Sequence, residues 1–249
     1  VLGDRLSTGE SDRTLHGASE TFHSAPPPDA VAWPLTTEDV SAVLKICNAH
    51  GVPVIGWGTG TSLEGHALAI RGGLVLDMMR MDRVLDIRPA DLLAVVQPGV
   101  RNLAISEAAA PHNLYYAPDP SSQIACSIGG NVAENSGGVH CLKYGLTVHN
   151  VLRVRAVTME GDVVVFGSEA PDSPGLDLLA TVIGSEGMLA VVTEVTVRLV
   201  PKPQLAQVIM ASFDDVEKGG NAVADVIAAG IIPVAIEYMD REAILITED

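Results

Sequence analysis

Three glycine-rich segments constrain the fold of this chain more than any other feature of its sequence. They occupy residues 56–65, 126–138 and 184–187. Glycine lets the backbone turn sharply and approach a ligand closely, and successive amide N–H groups can then point at an anion. The spacing fits neither a Rossmann fingerprint nor a P-loop, because Thr61 and Leu63 stand where that fingerprint needs glycine and no Gly-Lys-Ser/Thr follows. The three segments together indicate an elongated ligand that crosses several loops, although residues 56–65 alone would also suit an ordinary surface turn.

Composition and charge narrow the range of partners. The chain has 249 residues, is 47% hydrophobic and carries a formal net charge of −16. Such a charge repels phosphate backbones, so nucleic acid is not expected as a partner.

Cys47, Cys126 and Cys141 are far apart and odd in number, which favours a reduced intracellular protein over disulfides or a zinc site. No apolar run is long enough for a membrane helix, and residues 1–16 lack a secretory signal and an initiating Met, so we expect a processed or trimmed chain.

The periodicity of apolar residues predicts an α+β fold. A helix is expected to begin near Thr36 or Thr37, to carry an apolar stripe that includes Val40 and Leu44, and to end at Gly51. Hairpins mixed with single helices differ from the regular alternation of a parallel α/β sheet. Strands are expected at residues 52–55, 74–77, 84–87, 93–97, 152–158, 163–166 and 189–200, and further helices at 101–109 and 176–183.

The two ends of the chain differ from its middle. Residues 1–27 are polar and run into three consecutive prolines, so we expect an extended lead-in rather than packed structure. The Pro-Lys-Pro run at residues 201–203 marks a boundary, and beyond it a strand at 208–213, a helix and a strand at 234–239 form one β-α-β unit. Because a lone unit of this kind leaves its sheet uncovered, residues 204–249 are expected to be the beginning of a domain.

Taken in order, the polar motifs resemble those of a known family. Residues 58–66 read Gly-Thr-Gly-Thr-Ser-Leu-Glu-Gly-His, residues 118–122 Pro-Asp-Pro-Ser-Ser, residues 127–131 Ser-Ile-Gly-Gly-Asn, residues 135–138 Asn-Ser-Gly-Gly, and residues 184–187 Gly-Ser-Glu-Gly. This order is similar to that of the PCMH-type FAD-binding domain of the vanillyl-alcohol-oxidase family, in the branch of the cytochrome-linked D-lactate dehydrogenases and glycolate oxidase FAD subunits. The resemblance implies an FAD-binding domain at residues 28–203, with subdomains at about 28–100 and 101–203, followed at 204–249 by the start of a truncated ferredoxin-like cap domain.

The resemblance also implies where FAD would lie. Its diphosphate would be bound by backbone amides of the first segment, at Gly58, Thr59, Gly60, Thr61 and Ser62, with Gly65 and His66 beside them. Further contacts would come from Pro118, Asp119, Ser122, Ser127, Gly129, Gly130, Asn135, Gly138, Gly187, Val191 and Val192. Thr61 stands where relatives with covalently bound flavin often carry a histidine, so non-covalent FAD is expected.

The activity implied by the resemblance is oxidation of a small 2-hydroxyacid, of the D-lactate or glycolate type, by hydride transfer to FAD. Catalytic residues and ligands for a divalent metal would lie in the cap domain, so none is assigned here and this chain alone is expected to be inactive. A cytochrome or quinone chain would accept the electrons, and the protein would be cytoplasmic or peripheral to the inner membrane, as a homodimer or with partner subunits. The alternatives are a non-catalytic flavin-binding module that needs a partner chain, and another alcohol or lactone oxidase of the same superfamily.

Four polar residues have two interpretations each. His140 and Cys141 are expected to support loop structure rather than bind a metal, because two adjacent side chains rarely chelate one ion. Lys143 is expected to be paired or solvated, with stabilisation of a reduced-flavin anion as the alternative. His66 suits either a contact with the FAD phosphate or a hydrogen bond within its own loop.

Overall fold

The computed structural model describes residues 1–170 and 174–248. Its N-terminal part contains β1 (Leu6–Ser7), α1 (Glu10–Leu15), β2 (Ala30–Ala32), α2 (Thr37–His50), β3 (Val54–Trp57) and β4 (Leu74–Asp77). The central part contains β5 (Val84–Arg88), β6 (Leu93–Val96), α3 (Asn102–Ala109), β7 (Leu114–Tyr115), α4 (Ile128–Glu134), α5 (Cys141–Tyr144), α6 (Thr147–Asn150), β8 (Val151–Val157), β9 (Val163–Gly167), α7 (Leu178–Val182), β10 (Val191–Arg198) and β11 (Val200–Pro201). The helices α8 (Val216–Ala228) and α9 (Arg241–Glu248) follow, and the whole is an α+β fold, as the sequence predicts.

The first sheet has the strand order β1-β2-β4-β3, with β2 and β3 parallel to β4 and β1 antiparallel to β2. The helix α2 connects β2 to β3, as parallel strands require. It begins where Thr36 Oγ1 accepts a hydrogen bond from the Asp39 N–H at 3.1 Å, and it ends at Gly51, whose φ of 64° is left-handed. Val40 and Leu44 are buried on its inner face, so the predicted helix is confirmed.

The second sheet is antiparallel and has the strand order β5-β6-β10-β8-β9. Its core side packs against α3 and α4 through the fully buried Ile105 and Ile128. β8 and β9 form the predicted hairpin, and β7 pairs with β11 in a small separate sheet. Val157 of β8 belongs to the core cluster beneath α2, so this helix packs against both sheets and joins them.

The chain passes from the first sheet to the second earlier than the sequence suggests. The subdomain boundary was expected near residue 100, but β5 and β6 already belong to the second sheet, because β6 pairs with both β5 and β10. The change of sheet therefore falls between Asp77 and Val84. The strands and helices predicted before residue 201 are confirmed, with β4 at its predicted bounds and the others shifted at their ends.

Two strands expected after residue 203 do not form in the described part of the chain. Residues 208–213 and 234–239 have no regular structure, and α8 lies between them. The apolar side chains of Val208, Ile209 and Met210 suggest a strand, yet each is more than 90% exposed. A strand needs a partner for its backbone N–H and C=O groups, and no described strand lies beside these residues.

The expectation of an unpacked N-terminal lead-in was wrong. β1 pairs with β2, and Arg5 forms an ion pair with Asp39 in the first turn of α2. These contacts place α1 against the first sheet and bring residues 16–20 behind the loop that follows β3. Local sequence could not show this, because each contact joins residues far apart in the chain.

Buried His16 anchors this N-terminal segment. Its Nε2 lies 2.9 Å from Asp77 Oδ2 at the end of β4, and its Nδ1 lies 2.7 Å from the carbonyl oxygen of Asp12. Asp77 also accepts a hydrogen bond from Trp33 Nε1 at 2.9 Å. Burial opposes a positive charge on the ring, but the hydrogen bonds to Asp77 and to the Asp12 carbonyl outweigh it and raise the pKa of His16.

Replacement of His16 by glutamine is expected to destabilise the chain in a pH-dependent way. A raised pKa in the folded state stabilises the protein below the unfolded value of about 6.5, and this contribution disappears as the pH rises through the folded value. H16Q should lower the free energy of unfolding by about 1–3 kcal/mol at pH 6, and by less at pH 9. Urea unfolding at both pH values measures the difference. H112Q, at an exposed histidine, is the control, and an equal loss for H16Q at both pH values would contradict the ion-pair account.

Candidate functional site

A cleft opens between the glycine loop, defined here as residues 58–66, the helix α4, and the third segment at residues 184–187. It contains about 1200 Å³ of empty space, including the part open to solvent. The first sheet delivers the glycine loop at the end of β3, and the second sheet carries the opposite wall. The three glycine-rich segments therefore meet at one place.

The glycine loop offers unpaired backbone donors to the cleft. In the described part of the chain, no amide N–H from Gly58 to Ser62 donates a hydrogen bond to a protein atom. Gly60 has a φ of 69°, and a Cβ there would lie 2.8 Å from the ring of Trp57, so both the backbone and the indole beneath it require glycine. Unpaired amide groups on such a turn are suited to binding an anion.

Close contacts bring α4 against the glycine loop. Ser127 caps α4, because its Oγ accepts a hydrogen bond from the Gly130 N–H at 3.2 Å. A Cβ on Gly58 would lie 2.6 Å from that oxygen, and a Cβ on Gly129 would lie 3.0 Å from the carbonyl oxygen of Pro98. A larger residue at Gly58 would crowd the cap of α4, and a larger residue at Gly129 would push α4 away from Pro98. The position of α4 beside the glycine loop therefore depends on these two glycines.

Hydrogen bonds from α4 hold the third segment in place. The Gly184 N–H donates to the carbonyl of Val132 at 2.8 Å, and the Glu186 N–H donates to that of Ala133 at 2.9 Å. Asn135, with a φ of 53°, ends the helix. The position of α4 thus determines two of the three walls of the cleft.

Four polar side chains meet where the glycine loop contacts the C-terminal end of α4, and we call Ser62, Glu64, His66 and Glu134 the Ser62–Glu134 cluster. Ser62 Oγ lies 2.6 Å from Glu134 Oε1 and 3.0 Å from Glu64 Oε2, and His66 Nδ1 lies 3.1 Å from Glu134 Oε1. Burial, together with the nearby charge of Glu64, raises the pKa of Glu134 against the opposing effects of Ser62 and His66. The hydrogen bond from Ser62 lowers the pKa of Glu64.

Most residues implied by the resemblance line this cleft. They are Gly58, Thr59, Gly60, Thr61, Ser62, His66, Ser122, Ser127, Gly129, Gly130, Gly187, Val191 and Val192. The structure places the other five outside the lining, namely Gly65, Pro118, Asp119, Asn135 and Gly138. Asn135 holds α6 through its Oδ1, which accepts a hydrogen bond from the Val148 N–H at 2.9 Å.

The loops at residues 118–120 and 138–144 pack on each other beside the cleft. A Cβ on Gly138 would lie 2.1 Å from the carbonyl oxygen of Asp119, so only glycine fits there. The His140 N–H donates to Asp119 Oδ1 at 3.0 Å, and its ring Nδ1 lies 3.2 Å from Asp119 Oδ2. These contacts confirm a structural role for His140 in the loop. Lys143 Nζ lies 5.5 Å from the ring centroid of Tyr144, a cation–π contact.

Glu134 is the main residue of the cleft that sequence reasoning missed. Residues 128–134 were interpreted as part of a glycine-rich loop, whereas they form α4. A helix signal was present, because Ser127 is a good N-cap and the buried Ile128 and Val132 are four residues apart. Glu64 was quoted within its motif but given no role, since its contact with Ser62 depends on how the loop folds.

Three further observations concern the described residues. Within residues 1–170 and 174–248, no three His, Cys, Asp or Glu side chains are grouped so that they could hold a metal ion. No helix of that part of the chain is long and apolar enough to cross a membrane. Cys47, Cys126 and Cys141 are free thiols.

Comparison with known proteins shows the family to which this fold belongs. A family model described as "FAD binding domain" matches residues 28–167, and another described as "FAD linked oxidases, C-terminal domain" matches residues 202–249. The chain is 60% identical over 222 residues to glycolate oxidase subunit GlcD of Escherichia coli strain K12, covering 89% of this chain and 44% of that protein. It is 36% identical over 244 residues to the mitochondrial D-lactate dehydrogenase (cytochrome) of Arabidopsis thaliana, covering 97% of this chain and 43% of that protein.

The fold also matches a solved structure. Alkyldihydroxyacetonephosphate synthase superposes with a TM-score of 0.80 at 21% identity, covering 94% of this chain and 45% of that one. The chain spans about half the length of the curated relatives it matches. The FAD-binding model covers more than half of the chain and includes both the glycine loop and α4. The chain therefore belongs to the FAD-binding domain family of the vanillyl-alcohol-oxidase (PCMH) type, in the branch of glycolate oxidase subunits and D-lactate dehydrogenases.

Proposed function

We propose that this chain holds FAD without a covalent bond and forms the flavin-binding part of an enzyme that oxidises a small 2-hydroxyacid of the glycolate or D-lactate type. The observation that carries the proposal is the row of unpaired amide N–H groups from Gly58 to Ser62, set in a cleft long enough to cross three glycine-rich segments. The names of the similar proteins support the substrate class, since one is a glycolate oxidase subunit and another a D-lactate dehydrogenase.

The residues of the cleft fit FAD in their hydrogen-bond donors and in shape. A diphosphate needs several N–H donors at one point, which the glycine loop supplies without a lysine or arginine in the described lining. A flat ring system needs walls without bulky side chains, which Gly129, Gly130 and Gly187 provide. Val191 and Val192 add an apolar edge at the start of β10.

Non-covalent binding is supported by the state of the side chains that could attack a flavin. Thr61 Oγ1 lies 3.4 Å from Thr59 Oγ1, and no histidine or carboxylate of residues 1–170 and 174–248 forms a hydrogen bond with it. The ring nitrogen Nδ1 of His66 faces Glu134 and Ser62, and the buried Cys126 Sγ accepts a hydrogen bond from Asn131 Nδ2 at 3.3 Å. Each group is engaged within the protein.

The chain's own residues position the cofactor and exclude competing chemistry. FAD, when bound, supplies the acceptor for the hydride that leaves the α-carbon of the substrate. The glycine loop would fix the diphosphate, and α4 with the third segment would fix the distance between the walls. No described residue is assigned as the base that removes the hydroxyl proton. We place that base, and a divalent metal for the substrate carboxylate, in a cap domain of which residues 202–249 form the beginning.

We further propose that the enzyme works with partner subunits, since similar proteins are named as glycolate oxidase subunits. Electrons would pass from the flavin to a cytochrome or quinone chain, which places the enzyme in the cytoplasm or at the inner membrane. The second candidate is a flavin-binding module that has no activity of its own and needs a partner chain. The word "subunit" in those names favours it over another alcohol or lactone oxidase of the same superfamily.

Substitution of Gly58 by alanine should weaken FAD binding more than it weakens the fold. The added Cβ would lie 2.6 Å from Ser127 Oγ and displace the glycine loop from α4. We expect FAD affinity to fall at least about tenfold, which corresponds to about 1.4 kcal/mol. Quenching of flavin fluorescence measures the affinity. G220A is the matched control, because a Cβ on Gly220 in α8 meets nothing within 4 Å and Gly220 does not belong to the described lining of the cleft. Equal losses in both variants would argue against the close contact.

The flavin should leave the protein on denaturation. Because the side chains at Thr61, His66 and Cys126 are not poised to form a bond, acid precipitation should release all of the yellow chromophore into the supernatant. Absorbance of the supernatant and pellet measures the split. A pellet that stays yellow would refute non-covalent binding, and protein that is colourless and refuses added FAD would refute the cofactor itself.

A protein that continues beyond Asp249 into the full C-terminal domain should be reduced by 2-hydroxyacids. Anaerobic addition of glycolate or D-lactate is expected to bleach the flavin absorbance, because these substrates match the proposed class. L-lactate and ethanol serve as controls for stereochemistry and for the need for a carboxylate. If no 2-hydroxyacid bleaches a flavin that is demonstrably bound, the module without activity becomes the better account.

A further inference from the structure

In the Ser62–Glu134 cluster, the hydroxyl of Ser62 contacts two carboxyl oxygens but can donate a hydrogen bond to only one of them. Ser62 Oγ lies within hydrogen-bond distance of both Glu134 Oε1, at 2.6 Å, and Glu64 Oε2, at 3.0 Å. A hydroxyl has a single hydrogen, so it can donate to only one of these oxygens. The other oxygen then faces lone pairs of Ser62, and that contact is favourable only if the carboxyl itself carries a proton. The geometry therefore calls for a proton on Glu64 or Glu134.

Burial favours Glu134 as the residue that holds this proton. Its side chain is only 20% exposed, whereas Glu64 is exposed. Removing a carboxylate from water disfavours its charged form, and a second carboxylate nearby disfavours it further.

The charges around Glu134 come from three parts of the chain. The glycine loop contributes Glu64 and His66, the third segment contributes Glu186, and His23 of the N-terminal segment lies against Gly65 behind the loop. The described lining of the cleft contains no lysine or arginine. An anion that enters the cleft beside Ser62 therefore meets the carboxyl groups of Glu64, Glu134 and Glu186. Among the described lining residues, only the side chain of His66 can carry a positive charge.

We propose that the Ser62–Glu134 cluster is a proton-binding site linked to the FAD site, in which Glu134 is a positioning residue that stays protonated when a diphosphate occupies the neighbouring amide groups. The inference rests on the proposed function, namely that FAD occupies the cleft. A diphosphate beside an ionised Glu134 would be repelled, while a protonated Glu134 keeps Ser62 and Glu64 in one hydrogen-bonded arrangement. Binding of FAD and binding of the proton therefore strengthen each other by the same factor.

The sign of the pH dependence follows from this linkage. FAD affinity is highest where Glu134 is protonated in the free protein and falls as the pH rises through its pKa, which lies above the ordinary value of a glutamate, about 4.3. One linked proton limits the change in Kd to about tenfold per pH unit. Within about pH 5–8, where the diphosphate of FAD keeps its charge, we expect Kd to increase at least about fivefold overall.

The experiment measures FAD binding to the full 249-residue chain by fluorescence quenching from pH 5 to 8 at constant ionic strength. Calorimetry at one pH in two buffers of different ionisation enthalpy gives the number of protons taken up per FAD. We expect uptake of a fraction of a proton, up to one, where Kd changes with pH. This proton count uses the unmodified chain, so it decides the question even if a variant fails to fold.

Three variants assign the proton to a residue. E134Q should bind FAD with a Kd that no longer changes with pH and should take up no proton. E186Q removes a carboxylate from the same cleft outside the Ser62–Glu134 cluster. The Kd of this variant for FAD should still change with pH, whatever its absolute value. H66N should also keep it. If H66N abolishes the pH dependence and E134Q does not, the imidazole is the linked group and the proposal is overturned.

The outcomes separate this inference from the proposed function. Failure to bind FAD at any pH would reject FAD as the ligand of the cleft. Binding with a constant Kd and no proton uptake would leave the FAD site intact and reject only the linked proton. Proton release instead of uptake would reject the stated sign.

Discussion

The contact between Gly58 and the hydroxyl of Ser127 sets the geometry on which the rest of the site depends. Gly58 follows directly on β3 of the first sheet, and Ser127 caps α4, which packs on the second sheet. A side chain at Gly58 would crowd the helix cap, because a Cβ would come within 2.6 Å of Ser127 Oγ, which accepts the capping hydrogen bond. One hydroxyl thus both starts the helix and fixes its distance from the glycine loop. Since α4 also holds the third segment, the width of the whole cleft follows from this contact.

Support for the glycine loop also comes from behind, through the N-terminal segment. Trp57 lies beneath Gly60, the ring of His16 lies 5.2 Å from that of Trp57, and the Glu20 N–H donates to the carbonyl of Gly60 at 3.1 Å. Trp57 also lines the cleft, whereas His16 and Glu20 do not belong to its described lining. Buried polar groups that are fully paired, as His16 and Asp77 are, hold one arrangement in preference to others. The loop can therefore keep its amide groups free because other atoms fix its position.

The sequence was informative where structure depends on neighbours along the chain. Strand periodicity, the Thr36 cap and the Gly51 stop are local signals, and the structure confirms them. The glycine motifs also located most of the cleft, because only a ligand explains three such segments. What local signals could not reveal is pairing over long distances, such as β6 with β10, or His16 with Asp77 across 61 positions. Glu134 was missed for the same reason, because its role depends on the hydrogen bond with Ser62, which lies 72 positions away in the chain.

The acidity of the chain bears on which of its groups can bind an anion. With a net charge of −16, the protein as a whole repels an anionic cofactor, and the described lining of the cleft has no lysine or arginine to reverse that effect. The attraction for an anionic cofactor must then come from dipoles at short range. The unpaired amide N–H groups of the glycine loop provide such dipoles, although no lysine or arginine of the described lining stands beside them. Such dipoles act only over a few ångströms, so their position matters more than that of a flexible cationic side chain. Any ionised carboxylate beside them opposes binding directly. Because the glycine loop would bind the anion through amide dipoles alone, a neutral Glu134 favours binding, and burial of Glu134 favours its neutral form.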